Sequence, residues 1–148
     1  MATIKRFEEM LCWQAARDLV NLVYRLSKNN RFKRDYDLVS QIRRSAVSSM
    51  ANMAEGFHRN SKKDFIKFLD YARASVAETV SHCYVAFDQD YISESELKDL
   101  LRHADGVWKS TNGFMTYLKR TLSELNNQRT NKPTNQRTNQ PTNSLTEL

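Results

Sequence analysis

Three glycines, two prolines and two cysteines among 148 residues leave this chain few places to break a helix and no disulfide framework. β-Branched runs are scarce, so strands have little to form from, and the composition reads all-α. No stretch approaches the ~18 consecutive apolar residues of a membrane span. The opening MATIKRFEEM has no apolar core of the signal-peptide kind. A soluble, cytoplasmic protein without a membrane partner is expected. Zinc-type Cys and His spacings are missing, and Cys12 and Cys83 both fall on apolar helical stripes, which reads as two reduced core thiols. Glycine-rich phosphate loops are also missing, as is any sequence signature of a Ser or Cys activated by a neighbouring base.

One motif invites a metal reading. Glu55-Gly56-Phe57-His58 spells the Glu-x-x-His of di-iron bundles, which need two such motifs and further carboxylates from the other helices. The second motif is lacking: Glu78 and His82 are four apart rather than three, and the first helix has no carboxylate on its apolar seam. We therefore expect no metal, no cofactor and no catalytic residue.

What the chain does have is a hydrophobic content of 40%, enough for one core once its polar C-terminal end is set aside. The expected architecture is an antiparallel up-down-up-down four-helix bundle over residues 1–125, followed by a disordered tail over 126–148. Apolar residues step by three and four along each of four segments. The first helix is expected over 7–28, with Cys12, Ala15, Leu19, Leu22 and Leu26 on its seam and Trp13 and Tyr24 beside it. A polar turn, SKNNRFKRD, follows, and Asp35 or Asp37 can cap the second helix, which carries Val39, Ile42, Ala46, Ser49, Met53 and Gly56. Ser61 with Asp64 signals a third helix over 62–89, with Phe65, Leu69, Ala72, Val76, Thr79, Cys83 and Ala86. Ser93 with Glu96 spells a capping box before Leu97, Leu101, Ala104, Trp108, Thr111, Met115, Leu118, Leu122 and Leu125.

Beyond Leu125 the composition turns to Asn, Gln, Thr, Arg and Pro, and an eight-residue unit occurs twice, NQRTNKPT and NQRTNQPT. A segment with so little to bury cannot offset its ordering entropy. Its cations, Arg129, Lys132 and Arg137, could touch nucleic acid, but two short repeats also arise from simple duplication.

The net charge of +6 is unevenly spread. Residues 31–67 hold nine Lys or Arg against four Asp or Glu; residues 70–105 hold three against eight. Such polarity suits either a basic face for a polyanion or two faces that meet between subunits. The densest concentration of unusual residues is 41–61, QIRRSAVSSMANMAEGFHRNS. Residues 45–57 are nearly all small or apolar, so this helix is expected to be contacted all round. Ser45, Ser48 and Ser49 read as small packing residues, and Gly56 as a helix cap or a close contact. Asn52 and Glu55 read as a buried hydrogen-bonded pair, with Arg59 one turn further on, in preference to ligand contacts. Flanking them, Arg43, Arg44, Arg59, Lys62, Lys63 and Lys67 are candidates for phosphate binding, with a merely solvated charged face as the alternative.

These residues carry a resemblance. Trp13-Gln14-Ala15, Gln41-Ile42-Arg43-Arg44-Ser45-Ala46, Ala51-Asn52-Met53-Ala54-Glu55-Gly56, and then Arg59, Ser61, Phe65, Phe68-Leu69, Ala72, Ser75 and Glu78, resemble the bacterial 23S rRNA intervening-sequence proteins over about 7–125. The accessory variability determinant proteins of diversity-generating retroelements are similar to that family. Two positions depart from its pattern: Ser48-Ser49-Met50 stands where Ser-Ile-Pro is common, and Ala74 where glycine is usual. The resemblance implies a homopentamer of four-helix bundles without known catalytic activity, a place near structured RNA and, for the retroelement relatives, contact with a reverse transcriptase. Ser45, Ser49, Asn52, Glu55 and Gly56 are then expected to fix helix and subunit packing. The expected function is non-enzymatic RNA binding by an oligomer; the alternative is a protein-interaction scaffold with no direct nucleic-acid role.

Overall fold

The computed structural model describes residues 3–132. Four helices make up the fold: α1, Leu11–Leu26; α2, Tyr36–Phe57; α3, Lys62–Asp88; and α4, Glu94–Thr130. Among the described residues there is no strand. Side-chain contacts give the directions. Arg43 meets Ser27, and His58 meets Phe7, so α2 runs back along α1. Ser45 with Thr79 and Ser48 with Ser75 make α2 and α3 antiparallel, and Arg73 with Asn112 and Lys62 with Thr121 do the same for α3 and α4. α4 also packs along α1, which closes the bundle.

The helix starts are where their capping chemistry puts them. Asp35 accepts from the Leu38 amide at 3.1 Å, and Ser61 from the Asp64 amide at 3.1 Å. Ser93 and Glu96 satisfy each other's backbone amides at 3.1 and 2.8 Å, a complete capping box. The core follows the seams most closely on α2 and α3, where every expected position is buried except Val39 and Phe65, both half-buried.

Several expectations need correction. Helix one does not run unbroken from residue 7, because a 3-10 turn at Phe7–Glu9 leads into extended backbone at Met10, whose side chain is itself buried. On α1 the core takes Ala16 and Val23, with Ala15 and Leu26 only half-buried; on α4 it takes Leu100 and Val107 in place of Leu101 and Trp108. A 3.6-residue period shifts the buried stripe sideways from a strict 3.5-residue seam, which accounts for the exchange. The first turn is not wholly polar, since its 3-10 segment Phe32–Arg34 buries Phe32 against Tyr91. α4 does not stop at Leu125 but runs five residues further, so residues 126–130 are helical rather than disordered. The rest of the expected tail, 133–148, lies outside the described residues. α2 continues through Ser49 and Met50 as one helix, with no proline to bend it.

Candidate nucleic-acid interface

α2 and α3 meet along a row of small and hydroxyl-bearing side chains. Ser45, Ser49 and Thr79 are buried, and Ser75 is nearly so. Ser45 Oγ donates to the Ile42 carbonyl, and Ser49 Oγ to that of Ala46 at 2.7 Å. Thr79 Oγ1 lies 2.9 Å from both Ser45 Oγ and the Ser75 carbonyl. Ser48 and Ser75 share a 3.0 Å hydrogen bond, and Asn52 Nδ2 reaches back to Ser48 at 2.9 and 3.1 Å. Each hydroxyl or amide thus finds a local acceptor, which is what makes burial of this row tolerable. None of these serines meets a base, consistent with packing rather than nucleophilic chemistry.

Gly56 is buried where α2 crosses the start of α3. A Cβ there would lie 2.7 Å from Phe68 Cβ and 2.9 Å from the Phe65 ring. It is a point of close approach and not a cap: the helix continues to Phe57, and His58 ends it.

Asn52 and Glu55 do not form a buried pair. Asn52 bonds within its own helix, while Glu55 is exposed and takes Arg59 at 2.6 Å. Nor is 45–57 contacted all round by this chain. Val47, at 40% exposure, and Ala51 stand on its outer face.

The six candidate cations are not one cluster. Arg43 sits near the opposite end of α2 from Arg59, about 20 Å away along the helix. Its Nε donates to buried Ser27 at 2.8 Å and its guanidinium lies 4.5 Å from the Tyr24 ring, so it serves packing between α1 and α2. Arg44 is exposed on the outer face of α2. Arg59, Lys62, Lys63 and Lys67 do share one end of the bundle. Arg59 stacks on Phe68 at 4.5 Å besides pairing with Glu55, and Lys62 donates to Thr121 at 3.1 Å. Lys63 and Lys67 are exposed and have no carboxylate partner among the described residues.

Antiparallel α4 brings Lys119 and Arg120 to this same end, where sequence order alone does not place them. Residues 55–67 and 119–124 together hold six cations against Glu55, Asp64 and Glu124. The opposite end is mixed. Arg31 donates to the Asp90 carbonyl at 3.2 Å, so Arg31, Lys33 and Arg34 stand beside the acidic α3–α4 turn. There Asp35 accepts from Tyr91 Oη at 3.0 Å, which raises the phenol's pKa. The polarity seen along the sequence is thus partly cancelled at one pole and concentrated at the other.

Other chemistry is quiet. Burial pushes the Cys12 thiol up to about 11 and that of Cys83 up to about 12, so both stay protonated and unreactive near neutrality. Among the described residues no group of three His, Cys, Asp or Glu could hold a metal ion. The shallow groove between α3 and α4 contains Asp70, Arg73, Asp105, Trp108, Lys109 and Asn112. Its charges are already spent on one another, Asp70 with Arg73 and Asp105 with Lys109. No described helix is long and apolar enough to cross a membrane.

Fold and surface define an antiparallel four-helix bundle with a hydroxyl-lined α2–α3 seam and one basic pole. The 23S rRNA-intervening sequence protein family matches residues 8–113, and the chain belongs to that family. The match ends before α4 does, and short of residue 125, where the expected resemblance ends. A solved structure from Bacteroides thetaiotaomicron, a protein with unknown function from the S23 ribosomal protein family, is similar in fold, with a TM-score of 0.60 and 23% identity over 70% of this chain and 94% of that one. No curated protein matches this sequence.

Proposed function

We propose that this protein is a non-enzymatic, cytoplasmic, self-associating bundle that binds structured RNA through its basic pole. The observation that carries the reading is the pair of exposed lysines, Lys63 and Lys67, left without carboxylate partners among the described residues on an end where Lys62, Lys119 and Arg120 also gather. A polyanion whose condensed counterions are released on binding suits such a surface. The family is also named for an intervening sequence of 23S rRNA. A subunit offering a handful of exposed cations binds weakly, and repetition in an oligomer raises the avidity. A pentamer remains what the family resemblance implies.

The subunit contact in this reading is the outer face of α2 and α3. Val47 and Ala51 on one helix and Tyr71, Ala74, Ser81 and Val85 on the other form exposed stripes of small and apolar side chains, with Arg44, Glu55 and Glu78 beside them. The same face favours a second reading, a protein-interaction scaffold whose partner is a protein such as a reverse transcriptase.

The test is fluorescence anisotropy with a labelled RNA hairpin, titrated in salt from about 0.05 to 0.2 M, where phosphate contacts are most visible. Lys63→Glu with Lys67→Glu should weaken binding on the order of tenfold or more and lower the salt slope by about two. Arg43→Ala should leave affinity unchanged while lowering stability by about 1–3 kcal/mol, the range for a charge-assisted hydrogen bond to a buried group. No binding by the parent at low salt would sink the RNA reading, and equal affinity of the double variant would sink the part of it that places the contact on Lys63 and Lys67.

A further inference from the structure

α4 outlasts everything packed against it. It continues seventeen residues past Gly113, where the family match ends. Lys62, the first residue of α3, is level with Thr121, so residues 122–130 project about 13 Å beyond the bundle. Along the seam Thr111, Met115 and Leu118 are buried, Leu122 is half-buried and Leu125 is 45% exposed. The next position in that alternation of four and three is Arg129. The stripe that faces the core inside the bundle therefore carries on over the bundle's end, and there it changes from apolar to cationic.

The foot of this overhang is the basic pole, where the Lys62 ammonium already reaches Thr121. Residues 119–132 contain Lys119, Arg120, Arg129 and Lys132 against Glu124 alone. Asn126, Asn127 and Thr130 are weak helix formers, and residues 123–130 are all exposed. A helical end with neither propensity nor packing gains most of its order from a partner.

We infer that the inner face of this overhang and the start of α3 form a two-walled corner for an RNA phosphate backbone, with Arg129 and Lys132 on one wall and Lys62 on the other. Charge selects the occupant, since residues 119–132 carry four cations against Glu124 and the start of α3 adds Lys62 and Lys63 against Asp64, a balance that fits a polyanion, and the neighbouring amide of Asn126 offers hydrogen bonds to sugars and base edges. The inference rests on the RNA reading above, and it adds a contact outside the segment that the family describes.

The experiment uses the full-length chain and the same hairpin. Arg129→Glu with Lys132→Glu should reduce affinity on the order of tenfold at about 0.15 M salt and lower the salt slope by about two. Leu125→Lys, on the inner face, should tighten binding more than Asn127→Lys on the outer face, a gain that misfolding would not produce. Equal effects of those two lysines overturn the corner. If Lys63→Glu with Lys67→Glu weakens binding while Arg129→Glu with Lys132→Glu does not, the corner is overturned and the basic pole stands. The reverse pattern keeps the corner and removes Lys63 and Lys67 from the interface. A changed subunit number for Arg129→Glu with Lys132→Glu in light scattering makes the overhang a subunit contact and overturns the inference.

Discussion

Gly56 shows how one missing side chain sets a helix distance. The Cβ that alanine would add falls 2.7 Å from Phe68 Cβ, an atom that cannot swing away without its backbone. Gly56→Ala gains helix propensity by about 1 kcal/mol, yet it overpacks a closed contact at a cost of roughly 1–3 kcal/mol. The second effect outweighs the first, and urea denaturation should give a lower midpoint for the variant; a raised midpoint contradicts the close approach. Arg43 teaches a related lesson. In sequence it reads as one of a pair with Arg44, and in space the two part company, one stacked on Tyr24 and bonded to Ser27, the other exposed. Helical rotation of about 100° per residue separates neighbours that look alike on paper.

At the level of elements, the caps are the clearest case of local chemistry deciding structure. Ser93→Ala removes the acceptor for the Glu96 amide and half of a reciprocal pair, and should lower stability by about 1 kcal/mol. Its Tm should fall, while Ser95→Ala, at the second residue of the helix and exposed, should leave it nearly unchanged. The seams of α2 and α3 were legible in the sequence because small and apolar residues recur there without interruption. α4 was legible less far. Its asparagine-rich end carries poor helix formers, so composition argued against a helix that the structure nonetheless continues to Thr130. The candidate site was half legible: the lysines near the α2–α3 turn are contiguous in sequence, but Lys119 and Arg120 join them only through antiparallel packing. Phe32 and Met10 are illegible for a similar reason, because they enter the core from short turns that have no periodicity to read.

On the scale of the whole molecule, the exposed stripes of α2 and α3 matter most. Val47, Tyr71, Tyr84 and Val85 are each more than a third exposed on the chain by itself, and apolar patches of this sort mark interaction surfaces. Light scattering should report a particle several times the 17.3 kDa of one chain. Val47→Glu with Val85→Glu should shift it toward the monomer with the helical circular dichroism retained. A monomeric parent would contradict self-association.

The hydroxyls between α2 and α3 also act as a vernier on the bundle. Apolar seams with a seven-residue repeat tolerate a slip of one helix past the other, since leucines and alanines meet again after each repeat. The hydroxyls do not repeat. Ser45 faces Thr79 and Ser48 faces Ser75; displaced by seven residues in either direction, Ser45 would meet Ala72 or Ala86, and Ser48 would meet Phe68 or His82. The slip to Ala72 and Phe68 gives up both cross-helix hydrogen bonds, worth about 0.5–1.5 kcal/mol apiece, and the slip to Ala86 and His82 gives up at least the one between Ser45 and Thr79. A few oxygen atoms therefore select one axial alignment out of several that the greasy side chains alone would accept.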